Sequence, residues 1–175
     1  MASVPYIKVT SATQTPYSMV RDSAGNYYIA SFGSLPQVQP SSSYANCLSI
    51  TTIQTTSVAG GSWTPSYSGT YYNGVAYKPK KMSLFEDAIG TGLFISADSA
   101  TGGFLLVKRD ITSSTIYSYV YQENNNEALI SLDATAVSLT QMIVVFKNTP
   151  RATFQIMTVD FVSSSQIGLQ RKILT

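Results

Sequence analysis

The sequence predicts an all-β fold: a single jelly roll or other Greek-key β-barrel or sandwich of about eight to ten strands, with an up-and-down barrel as the second choice. Three observations carry this. Short stretches rich in β-branched and aromatic residues alternate in polarity. Turn-forming clusters separate them at the regular spacing of sandwiches and barrels. No long helical period stands between them, which argues against a parallel α/β sheet, and no internal repeat marks a propeller or solenoid.

The 175 residues suit one domain over 1–175, with possible arms at 1–15 and 167–175. A chain of this length buries a core without disulfide staples. Only 11% of residues are charged, well under the usual quarter; Ser, Thr, Asn, Gln and Tyr take their place. Such a surface suits extensive protein contact. The net charge of +2 is too small for nucleic-acid binding, which concentrates Lys and Arg on one arm or face. Met1 to Pro5 lacks the charged and apolar regions of a signal peptide, so the expectation is a molecule either made in a cytosol or released without the standard signal. The longest apolar run, Met142 to Phe146, is strand-sized.

Tyr6 to Thr10 reads as a first strand. Tyr17 to Arg21 and Tyr27 to Phe32 flank Ser23-Ala24-Gly25-Asn26 and form a hairpin. The Pro- and Ser-rich stretch 33–46 reads as a crossover between two sheets. Leu48 to Thr56 is the next strand, with Cys47 at its start. Asn73-Gly74 marks a second hairpin inside an aromatic-rich region. Ser83 to Ile89 is the one stretch with helical character: Ser83 and Glu86 have the spacing of a capping box, and Gly90 ends it. Leu93 to Ala97 and Phe104 to Arg109 form a hairpin over Ser99 to Gly103. Thr115 to Tyr121, Ala128 to Leu132, Leu139 to Lys147 and Thr153 to Val162 are further strands. Gln122 to Glu127 is a polar loop, and Ile167 to Leu174 either closes the barrel or forms a tail.

The chain has no histidine. That removes Ser-His-Asp and Cys-His mechanisms and histidine-ligated metals. No phosphate-binding glycine motif is present. A carboxylate pair on facing elements, such as Asp98 with Asp133, is the remaining route to hydrolysis; Glu86 and Asp87 are adjacent acids near the Gly90 turn. The loop Asp98 to Gly103 offers oxygens to calcium, but without the repeated acids of an EF-hand it reads as a hairpin. The expectation is therefore a protein that is not an enzyme and takes no cofactor or metal.

Three features remain as candidate contact sites. The first is the aromatic group Trp63, Tyr67, Tyr71, Tyr72 and Tyr77, which suits core filling, a subunit interface or sugar stacking. The second is Lys78, Lys80 and Lys81, either a solvated loop or a contact to lipid or other phosphate. The third is Cys47, the single cysteine, either a buried inert thiol or half of a disulfide to a second copy.

Strands such as Thr115-Ile116-Tyr117-Ser118-Tyr119 and Ala152-Thr153-Phe154-Gln155-Ile156, together with the chain length and strand count, give a pattern that resembles a known family. The chain is similar to the small single jelly-roll major capsid proteins of tailless, internal-membrane-containing DNA phages of the Thermus type. The resemblance implies a virion structural protein that associates with itself and with a second coat protein in an icosahedral shell. It also implies exchange arms at Tyr6 to Thr15 and Ile167 to Thr175, and a basic spot facing the lipid surface. The alternative is a carbohydrate-binding lectin or a receptor-binding fibre domain, carried by Trp63 and its tyrosines.

Overall fold

The computed structural model describes residues 14–33, 47–54, 64–70, 77–99, 102–121, 128–163 and 167–174. Among them the chain forms twelve strands and no helix, in three four-stranded antiparallel sheets. Sheet A holds β1 (Gln14–Arg21), β2 (Tyr27–Gly33), β3 (Cys47–Gln54) and β4 (Thr64–Thr70). Sheet B holds β5 (Tyr77–Glu86), β6 (Thr91–Ser99), β7 (Phe104–Asp110) and β8 (Ile116–Tyr121). Sheet C holds β9 (Leu129–Ala136), β10 (Gln141–Asn148), β11 (Thr153–Phe161) and β12 (Ile167–Leu174).

Sheet B is the middle layer. Its β6 and β7 are buried on both faces, as Gly92-Leu-Phe-Ile-Ser-Ala97 and Phe104-Leu-Leu-Val-Lys108. Strands covered on both sides read as continuous apolar runs rather than alternating ones. Leu93, Ile95, Ala97, Leu105 and Val107 point to sheet A and meet Tyr28, Ala30, Leu48 and Ile50. Phe94, Phe104 and Leu106 point to sheet C and meet Met142, Val144, Phe146, Met157, Val159 and Phe161. The Phe104 ring packs tilted against that of Phe146 with centroids 5.3 Å apart, and Phe94 lies 6.0 Å from Phe161. Burying each such ring contributes about 1.5–3 kcal/mol, with a further ~1 kcal/mol per aromatic pair. Gly92 lets the Phe94 ring close down: a Cβ there would sit 3.0 Å from the ring.

The all-β, sandwich-like architecture follows the expectation, whereas the order of strands does not. Each described sheet is a meander whose spatial neighbours are sequence neighbours, not the interleaved order of a Greek key or jelly roll. The stretch after Gly33 joins β2 to β3, which pair from Tyr27↔Ile53 to Gly33↔Cys47 within one sheet. It is no crossover between sheets.

The expected helical turn at Ser83 to Ile89 is also overturned. Ser83 to Glu86 lie in β5, paired with β6 from Ser83↔Phe94 to Glu86↔Thr91. Both residues of the supposed capping box bind elsewhere. The Ser83 hydroxyl accepts the Ala136 N–H at 2.8 Å. The Glu86 carboxylate accepts the N–H and hydroxyl of Ser23 at 2.9 and 2.7 Å. Leu84 packs towards sheet A and Phe85 towards sheet C, a period of two rather than 3.6. Asp87 then makes the turn, its Oδ1 accepting the N–H groups of Ile89 and Gly90.

Ile167–Leu174 pairs along β11 from Phe161↔Ile167 to Phe154↔Leu174, so most of the expected C-terminal arm is the outermost strand of sheet C. The first expected strand, the Asn73-Gly74 hairpin, the 122–127 loop and most of the N-terminal arm lie outside the described residues.

Candidate functional site

The basic spot is not a loop. Lys78, Lys80 and Lys81 stand on β5, an edge strand of sheet B, with a bulge between Pro79 and Lys81. Pro79 is tolerated because an edge strand has one side with no ladder to feed. Two of the three lysines meet carboxylates: Lys80 Nζ lies 3.0 Å from Asp98 Oδ2, and Lys81 Nζ 3.5 Å from Asp133 Oδ1. Asp98 also accepts the backbone N–H and the hydroxyl of Ser131. Asp98 thus ties β6 to β5 and β9, and Asp133 ties β9 to β5.

These side chains close one edge of sheet C. On β9 the Ser131 N–H goes to Asp98, the Ala134 N–H to Asp133 at 2.9 Å, and the Ala136 N–H to Ser83. Side chains that cap an edge strand's N–H groups remove a template for strand addition.

Of the aromatic group, Tyr77 is buried in the core between sheets A and B, which pushes its phenol above the ordinary value. It belongs to the core rather than to a recognition surface. Tyr67 lies on β4 opposite Thr51, and Cys47 opens β3 opposite Gly33; their side chains are outside the described ones. Trp63, Tyr71 and Tyr72 lie outside the described residues.

A polar node that the sequence reading did not single out sits at the β1–β2 turn. Asp22 is 8% exposed. Its carboxylate accepts the Asn26 N–H at 2.7 Å, the Asn26 amide at 2.8 Å and the Tyr28 hydroxyl at 2.9 Å. Burial pushes this carboxyl up, but the bonds from Asn26, Tyr28 and Gly25 together hold it below its ordinary value. Tyr28 is driven the other way, upward, by burial first and then by its bond to Asp22. Gly25, at a φ of 93°, supplies the left-handed residue of the turn. Arg109 on β7 completes the node: burial lowers its guanidinium while Tyr28 opposes, and its Nε and Nη1 are buried with no hydrogen-bond partner among the described residues.

The neighbouring Lys108 takes the opposite face of β7. It is 5% exposed, with Nζ 4.7 Å from the centre of the Tyr117 ring. Burial lowers its ammonium, with Asp110 and Asp160 acting in the opposite sense.

No protein-family model, curated protein or solved structure matches this chain. Function must therefore be argued from its surfaces.

The most distinctive surface is the outward face of sheet C. On β10, Met142, Val144, Phe146 and Asn148 face the core, whereas Ile143, Val145 and Lys147 face out. Around them Ile130, Leu132, Phe154 and Leu174 are 39%, 43%, 47% and 40% exposed. The signal was present in the sequence. Met142 to Phe146 is an unbroken apolar run, the same kind of run that is covered on both faces in β6 and β7. On β10 the described chain covers one.

Proposed function

We propose that this protein is a structural subunit of a virion, associating with copies of itself and with a second coat protein in an icosahedral shell. The observation that supports it best is the outward face of sheet C. Its central strand is apolar on both sides, and large side chains flank it in the open. Exposed contiguous apolar surface of this kind marks protein contact. The low charge of the chain favours the same use, because charged residues are depleted from the cores of interfaces.

In this reading the chain acts by presenting surfaces, with no catalytic step and no cofactor. It is made in the host cytoplasm and resides in the capsid. The role rests on surface chemistry, not on jelly-roll topology, since the strand order departs from that of the family the sequence resembles. In the same reading Lys78, Lys80 and Lys81 approach lipid phosphates, with Asp98 and Asp133 offsetting two of their charges.

Light scattering behind size exclusion, over a concentration series with and without reductant, tests the reading. A species that grows with concentration supports it, and loss of that species in reductant assigns it to Cys47. A strict monomer at all concentrations, together with absence of the chain from purified particles by mass spectrometry, overturns it.

A further inference from the structure

The outward face of sheet C is laid out in rows that run across its four strands. Asp133, Val145, Ile156 and Lys172 form one row, through the pairs Val145↔Asp133, Val145↔Ile156 and Ile156↔Lys172. Ile130, Lys147, Phe154 and Leu174 form a second. The first row is acid, apolar, apolar, base. The second has apolar residues at both ends and a Lys–Phe pair between them.

We propose that this face binds the same face of a second copy about a two-fold axis parallel to its strands. The proposal rests on the self-association reading and names the surface that carries it. Such an axis keeps every row in place while exchanging β9 with β12 and β10 with β11. Asp133 then meets Lys172 of the second copy, and Val145 meets Ile156. In the other row Ile130 meets Leu174, and Lys147 comes over the ring of Phe154, a favourable cation–π arrangement. An axis perpendicular to the strands would instead set each strand on itself and leave Asp133 and Lys172 unmatched. Charge complementarity therefore selects one isologous arrangement, the commonest kind of dimer.

The size is adequate. Four strands at about 4.8 Å spacing, each rising about 3.3 Å per residue, give a flat footprint on the order of 500 Å². Side-chain relief brings this towards the roughly 800 Å² per partner of a standard interface. Asp133 is 66% exposed despite its contact with Lys81, so it stays open to a second cation. The capped N–H groups of β9 disfavour the competing mode, addition of a strand at that edge.

Light scattering on the full chain tests this, with far-ultraviolet circular dichroism to confirm that each variant is folded. Wild type is expected to dimerise, and Val145→Asp to abolish the dimer. Lys172→Glu is expected to weaken it by about tenfold or more, as for loss of a close interfacial charge pair. Adding Asp133→Lys to Lys172→Glu should restore most of the loss, which a merely damaged fold would not do. A wild-type dimer that none of these variants disturbs overturns the proposed face but leaves self-association standing. A wild-type chain that is monomeric throughout overturns both. A monomer that instead sediments with phosphatidylglycerol vesicles assigns the face to a lipid surface.

Discussion

The Tyr28 hydroxyl donates a hydrogen bond to the carboxylate of Asp22 across 2.9 Å, at the point where the first hairpin turns over the core between sheets A and B. Tyr28 is a core residue, 2% exposed, so its hydroxyl has no route to water and Asp22 is its partner. Tyr28→Phe should lower stability by about 1.5–2 kcal/mol, as expected for a bond to a charged group. Urea denaturation measures it; an unchanged midpoint would show that the bond contributes nothing net.

The same pair sets an acid limit. The folded carboxyl of Asp22 lies below its ordinary value of 3.8, so the unfolded chain takes up the proton first. Its contribution is complete above about pH 4 and is lost as pH falls through the lower folded value. Comparing wild type with Asp22→Asn from pH 2 to pH 7 should show a shallower acid decline in the variant. At the alkaline end Tyr28, raised in the fold, contributes below about pH 10 and loses that contribution as pH climbs towards the folded value.

The middle position of sheet B has a sharp consequence for neighbours in sequence. Leu105 faces sheet A and Leu106 faces sheet C, both fully buried. Leu105→Ala and Leu106→Ala should each cost about 2–5 kcal/mol. A two-layer protein would leave one of these adjacent positions exposed, with an effect within ~0.5 kcal/mol. Finding one such benign substitution would refute the three-layer arrangement.

Asp98 and Asp133 both pair with lysines on β5, yet breaking the two ion pairs, one at Asp98 and the other at Lys81, should have different effects. Asp98→Ala leaves the Ser131 N–H and hydroxyl without their partner in a fully buried residue. The expected cost is about 2–3 kcal/mol, with faster aggregation as the β9 edge is uncapped. Lys81→Met breaks only a solvent-screened contact and should change stability by less than ~0.5 kcal/mol. Thermal melts with static light scattering distinguish the two.

Ala152 holds a φ of 52° in the turn between β10 and β11. That left-handed conformation costs an L-residue about 1 kcal/mol or more. Ala152→Gly should relieve part of it and raise stability by roughly 0.5 kcal/mol. A drop in denaturation midpoint would count against this turn geometry.

Much of the fold was legible in single strands. The hairpin over Gly25, the β6–β7 hairpin, and the strands from Ile116 onward follow from alternation and turn chemistry. The layering was not, because it is written in which strands lack alternation. Phe104-Leu105-Leu106-Val107 reads as one more strand until its two faces are assigned to different sheets. The helical reading of Ser83 to Ile89 failed because capping residues are also good cross-strand partners, and only tertiary contacts reveal which use they serve. The polar node escaped notice for a related reason. Asp22 and Asn26 look like ordinary turn residues, and nothing local places Arg109 beside Tyr28. The sheet C face is spelled out in Met142 to Phe146, but an apolar run of that length marks a strand without saying which of its faces is covered.

Because the three meanders follow one another along the chain, layer order is also order of synthesis. Sheet A emerges first, and sheet B can close over it before the last third of the chain exists. At that moment Phe94, Phe104 and Leu106 face water and wait for β10 and β11. Folding rates gain from the locality of every strand pairing, but the nascent chain passes through a stage with a sticky, half-covered middle layer. A fragment ending at Tyr121 should therefore be recognised by chaperones that ignore the full chain.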